Sequence, residues 1–419
     1  MNSLKVSIIG MGYIGLPTAA IISKNKIRTH GVDIDRKIIN TIKKGNIHIA
    51  EPGLKDMVSK AVKDGYLTVS QRPIESDIFI ITVPTPLNSK NLPDLSYVKE
   101  AAKSIAPYLV KGNLIILEST SPVGTTKSIS KIIKSLRSDL TFPHEAAKKA
   151  DINISYCPER VIPGQTLKEL VINDRVIGGM TKNCSRKASK FYSIFVKGKC
   201  HQTNSETAEL SKLAENSFRD VNIAFANELS MICDESKINP WELIKIANRH
   251  PRVSILQPGP GVGGHCIAVD PWFVVASSKK AKLIKQAREV NLMKTKFVIK
   301  KIRKSIKNIS KEKDLKPSEI KIAIFGIAFK ANIDDLRESP AFDITKDMVK
   351  NFDSSLLIVE PNIKKLPISL EGNSKLVSSD VALRNCHIAI GLVDHKEFLK
   401  YKKIDFSGIE LVDCKGIWD

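Results

Sequence analysis

Lys5-Val6-Ser7-Ile8-Ile9-Gly10-Met11-Gly12-Tyr13-Ile14-Gly15 is the stretch that decides the fold. A short apolar run of strand character ends on a glycine, and the glycines that follow keep a G-x-G-x-x-G spacing into a helical pattern. The first glycine permits a tight turn, the second lets backbone approach a pyrophosphate, and the third brings helix and sheet together. The helix amino end, with its unsatisfied N-H groups, favours the phosphates. Asp33 follows the next strand-like run, about 20 residues on, where a carboxylate would accept the ribose hydroxyls of a dinucleotide. That carboxylate repels a 2′-phosphate and so favours NAD over NADP, while the nearby Arg36 works against the preference.

Outward from this unit, short apolar runs alternate with amphipathic segments through the first two hundred residues, as in a parallel sheet covered by helices. Strands are expected at Lys5 to Ile9, Arg28 to Val32, Ile78 to Val83, Leu114 to Leu117, Ile154 to Cys157 and Arg175 to Ile177. From Asn204 a helical pattern without Gly or Pro runs to Asn239, and a second helix is expected from about Ala281 to Asn308. Strand texture then returns at Ile320 to Phe325, followed by Gly326, with later runs at Leu356 to Val359, Ile388 to Leu392 and Glu410 to Val412. The expected fold is α/β, with two Rossmann-like doubly wound domains (1–204 and 312–419) joined by a central helical domain (205–311). The second sheet has only Gly326 in the matching turn, so it should bind something other than a dinucleotide.

With 419 residues the chain can bury the cores of two or three domains. No run approaches the roughly 20 apolar residues of a membrane span, and the amino terminus reads as a strand rather than a signal peptide, so a cytoplasmic protein is expected. The seven cysteines are scattered without Cys-x-x-Cys spacing, which argues against a disulfide framework and a metal site. A net charge of +22 raises nucleic acid as a partner. The lysines are dispersed, however, and runs such as Lys300-Lys301-Ile302-Arg303-Lys304 place charge beside apolar Ile302 and Ile306 as a solvated helix face would. No nucleic-acid partner is therefore expected.

Gly259-Pro260-Gly261-Val262-Gly263-Gly264-His265-Cys266 is hard to explain as structure alone. Glycines that expose successive N-H groups beside a thiol would suit a thiolate, or the oxyanion formed after its attack. Adjacent side chains usually diverge, so His265 is not expected to serve as the partner base of Cys266.

At this point the chain resembles the UDP-glucose and GDP-mannose dehydrogenase family over essentially its whole length. The matching motifs are Gly10 to Gly15, Val83-Pro84-Thr85-Pro86, Ser119-Thr120 with Pro122-Val123-Gly124, Pro158-Glu159, Lys212 with Asn216, the Cys266 loop to Asp270, and Lys330 with Asp334 to Pro340. The resemblance implies that Cys266 captures an aldehyde as a thiohemiacetal and later holds a thioester. It implies that Lys212 stabilises the substrate oxygen beside Asn216, and that Thr120, Glu159 and Asp270 position water and move protons. Gly10, Gly12, Tyr13, Ile14, Gly15, Asp33, Arg36, Thr85 and Thr120 are expected to hold NAD. Glu159, Arg160, Val161, Lys212, Asn216, Arg252, Gly264, Lys330 and Arg337 are expected to hold a UDP-sugar, and a homodimer is expected through the helical middle.

Three stretches resemble most the branch of the family that acts on UDP-N-acetyl-D-mannosamine: Cys157 to Gly164, Asn173 to Thr181, and Asn248-Arg249-His250-Pro251-Arg252 with Ile267 to Trp272. The implied reaction is oxidation at C6 to the uronate with two NAD. The UDP-glucose branch usually has Pro-Lys before the aspartate, where this chain has Ala268-Val269. Other nucleotide sugars, namely UDP-glucose, UDP-N-acetylglucosamine and GDP-mannose, remain alternatives. A single-step hydroxyacid dehydrogenase could also combine a nucleotide fold with a helical Lys and Asn pair, but its chemistry needs neither Cys266 nor a second α/β domain.

Overall fold

The computed structural model describes residues 4–162, 164–401 and 406–418. They form two compact units, residues 1–214 with 272–277 and residues 215–271 with 278–419. Each unit is built on its own sheet.

The first sheet contains β1 (Lys5–Ile9), β2 (Arg28–Val32), β3 (Leu67–Ser70), β4 (Ile78–Ile81), β5 (Leu114–Leu117), β6 (Asn153–Tyr156), β7 (Arg175–Gly179) and β8 (Cys200–Asn204). Their order is β3-β2-β1-β4-β5-β6-β7-β8. All neighbouring pairs are parallel except β6 with β7, where Ser155 faces Gly179 and Tyr156 faces Gly178. The central strands read as continuous apolar runs because both faces are covered. Val6, Ile8, Ile78, Ile80, Leu114 and Ile116 enter one core layer, whereas Ile9, Phe79, Ile81, Ile115 and Leu117 enter the other. This is the period-two alternation of a strand. The order reverses between β1 and β4, so a crevice opens at their carboxyl ends, where doubly wound sheets bind ligands.

The second unit repeats the plan with β9 (Lys321–Phe325), β10 (Ser355–Val359), β11 (Ser374–Leu376), β12 (Ile388–Gly391) and β13 (Glu410–Asp413), ordered β11-β10-β9-β12-β13 and wholly parallel. Ile322, Ile324, Leu356, Ile358, Ile388 and Ile390 face one core, and Ala323, Phe325, Leu357, Val359 and Ala389 the other. Two Rossmann-like sheets with a helical region between them in sequence are thus the architecture of the chain. Val298, Ile302, Ile306 and Ile309 of the helix Lys282–Glu312 pack into the second sheet's core. The intervening Lys300, Arg303, Lys304 and Lys307 point to solvent.

Three strands were not apparent in the sequence: β3, β8 and β11. All three lie at sheet edges. Cys200-His201-Gln202-Thr203-Asn204 is polar and largely uncovered, as edge strands commonly are. β4 stops at Ile81 rather than Val83. The long helix ends at Ser236, short of Asn239. Asn239 instead caps the helix Pro240–Ala247, accepting from the N-H groups of Trp241 at 2.8 Å and Glu242 at 3.1 Å, with Pro240 at the first helical position where its missing N-H costs nothing.

Candidate active site

The three glycines of the β1 turn divide the work as their spacing demands. Gly10 has φ +98°, and a Cβ there would lie 2.9 Å from the Thr82 carbonyl oxygen. A Cβ on Gly15 would fall 1.8 Å from the Gly10 oxygen, so only glycine lets the helix Gly15–Lys24 start this close to the sheet. A Cβ on Gly12 would meet nothing within 4 Å. That open side is where backbone can approach a pyrophosphate. No side chain caps the helix, so its positive end is left to a ligand.

Thr82, which the sequence did not single out, holds the turn through a 2.7 Å bond from its hydroxyl to the Gly10 oxygen. Asp33 accepts from the N-H of Met11 at 2.9 Å and that of Asp35 at 2.9 Å, which aligns the carboxylate and leaves it acceptor capacity for a ribose diol. Asp33→Ala should lower kcat/KM for NAD by about 10- to 100-fold, the scale of a bond to a charged group, and narrow the preference over NADP. An unchanged ratio of the two specificity constants would count against Asp33. Arg36 reaches Gln71 at 3.2 Å and lines a cavity of about 390 Å³ with Ile39, Asn40, Lys43 and Arg72. Tyr13 is 43% exposed, and Ile14 and Thr85 are half-buried.

The equivalent turn of the second sheet is closed from within. Glu360, at the end of β10, accepts from Ile327 N at 2.9 Å and Ala328 N at 3.1 Å and is bonded to buried His395 at 3.0 Å. A Cβ on Gly326 would collide with Val393. The acid at the end of this second strand is thus spent on the protein itself.

Thr120 follows β5 in a loop fixed by Ser119 Oγ to Val83 O at 2.7 Å and Ser121 Oγ to Ser119 O at 2.9 Å. Glu159 follows β6. One of its oxygens accepts from Arg160 N at 2.7 Å and the other from Arg175 Nη2 at 2.8 Å. Val161 packs against the core rather than projecting outward. Lys212, buried, lies on the helix Ser205–Ser236 one turn after Glu209. Glu209 has no solvent exposure and accepts from Gly124 N, Thr126 N and Thr126 Oγ1 at 2.6, 2.7 and 2.6 Å. A carboxylate thus fills the amino end of the helix Thr125–Leu136 and bolts the Lys212 segment in place.

In the second unit, Asn216 Nδ2 donates to Asp270 Oδ2 at 2.5 Å. Asp270 N in turn donates to the Cys266 carbonyl at 2.8 Å, so Cys266 and Asp270 share one turn, to which the Asn216 amide is bonded. Of the seven cysteines Cys266 alone is exposed. Burial pushes the Cys157 and Cys414 thiols up to about 12 and Cys386 to about 11. The loop before Cys266 is wedged against its own unit. A Cβ on Gly263 would lie 2.4 Å from the Glu338 oxygen and 2.7 Å from Pro340 Cδ, and Gly264 (φ +85°) meets the Phe329 ring. At the other end of the loop, Gly259 N donates to Asn227 Oδ1 at 2.9 Å. Asn227 continues through Asn291 to Asp220 and Arg288, all buried.

His265 Nε2 lies 3.9 Å from Asp335 Oδ2. Burial and the Arg337 charge both lower its pKa. Arg337, exposed, is held by Asp335 at 2.6 and 2.8 Å. Lys330 and Arg252 are exposed. Among the described residues no cluster of His, Cys, Asp or Glu could hold a metal ion, and no helix is long and apolar enough to cross a membrane.

Residues 4–196, 206–292 and 323–419 match, in order, the NAD binding, central and UDP binding domains of the UDP-glucose/GDP-mannose dehydrogenase family. The chain belongs to this family. It is an NAD-dependent nucleotide-sugar dehydrogenase. The chain is 53% identical over 422 residues to the UDP-N-acetyl-D-mannosamine dehydrogenase of Salmonella typhi, covering all of both proteins. It is 51% identical over 414 residues to the NDP-N-acetyl-D-galactosaminuronic acid dehydrogenase of Ralstonia solanacearum, covering 99% of this chain and 96% of that one. The UDP-N-acetyl-mannosamine dehydrogenase of Staphylococcus aureus superposes with a TM-score of 0.83 at 39% identity, covering 99% and 95% of the two chains.

Proposed function

We propose that the chain oxidises UDP-N-acetyl-D-mannosamine at C6 to UDP-N-acetyl-D-mannosaminuronate in two steps, with Cys266 as covalent nucleophile. The observation that carries the covalent step is the exposure of this one thiol on a glycine loop, followed one turn later by Asp270 and its bond to Asn216. The substrate rests on the names of full-length relatives and on the Cys157 to Gly164, Asn173 to Thr181 and Asn248 to Arg252 stretches, of which Pro163 lies outside the described residues. NAD, when bound, accepts a hydride from C6 in each oxidation, one NAD for each.

The residues supply the rest. Lys212 and Asn216 stabilise the substrate oxygen as the alcohol loses its proton and becomes the aldehyde. The Cys266 thiol adds to that carbonyl, forming a C–S bond and a thiohemiacetal hydroxyl. Loss of the second hydride from carbon and of the hydroxyl proton leaves a thioester. Water positioned by Thr120, Glu159 or Asp270 then breaks the C–S bond, releasing the carboxylate and restoring the thiol. A covalent intermediate keeps the reactive aldehyde from escaping between the two oxidations. Arg160, Arg252, Gly264, Lys330 and Arg337 are assigned to the UDP-sugar. Tyr13, Ile14, Arg36 and Thr85 are assigned to NAD beside the glycines and Asp33. The three segments divide as NAD domain (1–204), central domain with the thiol (205–311) and UDP domain (312–419).

In steady-state assays UDP-N-acetyl-mannosamine should exceed UDP-glucose in kcat/KM by more than about tenfold, the scale of one recognised substituent. A better rate with UDP-glucose would overturn the substrate and leave the family untouched. The Ralstonia relative makes the N-acetylgalactosamine nucleotide the competing substrate to include.

We infer also a cytoplasmic homodimer whose product feeds bacterial surface polysaccharide. The helix Ser205–Ser236 supports the dimer. Phe218, Phe225 and Ile232 recur every seventh residue and are 72, 54 and 53% exposed, an apolar stripe that a second copy would cover. Sedimentation at micromolar concentration should give twice the chain mass, and a monomer there would remove this part of the reading.

A further inference from the structure

We propose that Arg175 is a positioning residue for Glu159, seated on a buried platform of Glu118, Tyr192 and Cys157. The proposal rests on the reading that Glu159 acts on the substrate or its water. Topology delivers the arginine. β7 is the strand that runs against its neighbour β6, and continuing the register of Tyr156 with Gly178 by three residues sets Arg175 opposite Glu159. In a parallel strand the same first residue would lie at the far end of the sheet, away from the carboxyl-end crevice.

The contacts leave the guanidinium little freedom. Arg175 is 3% exposed. Its Nη2 bonds Glu159 Oε2 at 2.8 Å, while Nη1 lies 3.7 Å from Glu118 Oε1 and 3.9 Å from Cys157 Sγ. Its plane packs over the Tyr192 ring at 4.7 Å, and the Tyr192 hydroxyl donates to Glu118 Oε1 at 2.5 Å. Two carboxyls therefore flank one cation. Distance decides between them: Arg175 bonds Glu159 at 2.8 Å but stands 3.7 Å from Glu118, whose carboxyl burial pushes up to about 7. Buried ion pairs are weak stabilisers compared with apolar packing. A charged cluster at the ligand end of the sheet is thus better explained by what it holds than by stability. Glu118 also stands two residues before Thr120, so the same platform underlies both candidate groups.

The test is a double-mutant cycle on kcat with UDP-N-acetyl-mannosamine and NAD. Arg175→Lys keeps the charge but loses the planar two-pronged hold. It should lower kcat by about tenfold or more while leaving both KM values within about threefold. In a Glu159→Gln background the same change should cost less than about twofold, because a residue acting only through Glu159 has nothing left to position. Equal fold-losses in both backgrounds, or an Arg175→Lys kcat within about twofold of wild type, would overturn the role of Arg175. Wild-type kcat in Glu159→Gln alone would instead remove the reading of Glu159 beneath it. Should Arg175→Lys not accumulate as folded protein, Tyr192→Phe, which removes the hydroxyl bonded to Glu118, enters the same cycle. Its effect on kcat should likewise vanish in Glu159→Gln, and persistence there overturns the platform.

Discussion

Cys266→Ala is expected to abolish uronate formation, lowering NADH production from the UDP-sugar by about a thousandfold or more, because no thioester can form. The change removes one exposed sulfur and leaves the loop glycines, the Asn216–Asp270 bond and the NAD turn in place, so NAD should bind with wild-type affinity. Wild-type turnover should yield two NADH per sugar consumed, and mass spectrometry of enzyme quenched during turnover should find a sugar adduct on Cys266. Near-wild-type uronate formation by the alanine variant would sink the nucleophile and return the search to Lys212 and the carboxylates. The other six thiols offer no substitute, since five of them are buried and Cys200 is half-buried.

Gly263→Ala should be almost as damaging although it adds a single methyl group three residues from the thiol. Its Cβ would stand 2.4 Å from the Glu338 oxygen, 2.7 Å from Pro340 Cδ and 3.1 Å from Phe329 Cβ. Backbone and a proline ring cannot swing aside as a flexible side chain would, so the loop must move and carry Cys266 with it. A displacement of about 1 Å at a reacting group costs on the order of a hundredfold in rate, and kcat should fall by at least that factor. Calorimetric NAD affinity within about twofold of wild type would show that the first unit is intact. A kcat close to wild type would mean that the loop tolerates the shift and that its position is not what the glycine protects.

The sequence made the interior of both sheets legible and left three of their four edges obscure, β13 being the edge it did show. Runs such as Ile78-Phe79-Ile80-Ile81 and Leu114-Ile115-Ile116-Leu117 are apolar because helices cover both faces, and no other element fits so short and so continuous a run. Ser374-Lys375-Leu376 and Cys200 to Asn204 carry no such mark, because an edge strand has only one neighbour and little cover. The same asymmetry holds at the candidate site. Glycines and an exposed cysteine have distinctive local patterns. Thr82, Glu118, Arg175, Glu209 and Asn227 do not, since each matters through a partner distant in sequence: Glu209 meets Thr126 across 83 residues and Asn227 meets Gly259 across 32. Glu159 entered the candidate site through the family resemblance alone, and nothing local in the sequence announced the buried arginine that the reversal of β7 sets beside it.

The helix Ser205–Ser236 has a consequence for which changes of length the chain can survive. At about 100° per residue, Asn216, Asp220 and Asn227 fall within about 40° of one another, and each bonds to its own unit, to Asp270, to Arg288 and Asn291, and to Gly259. Phe218, Phe225 and Ile232 fall on the opposite side and are exposed. Substitutions on the outer side need not disturb the inner bonds. An inserted or deleted residue between 216 and 227 would rotate everything beyond it by about 100° and shift it by about 1.5 Å, pulling Asn227 off the glycine loop that precedes Cys266 and turning the outer stripe out of line. Natural variants of this protein should therefore exchange the outer residues for other apolar ones, while the count of residues from Asn216 to Asn227 stays fixed.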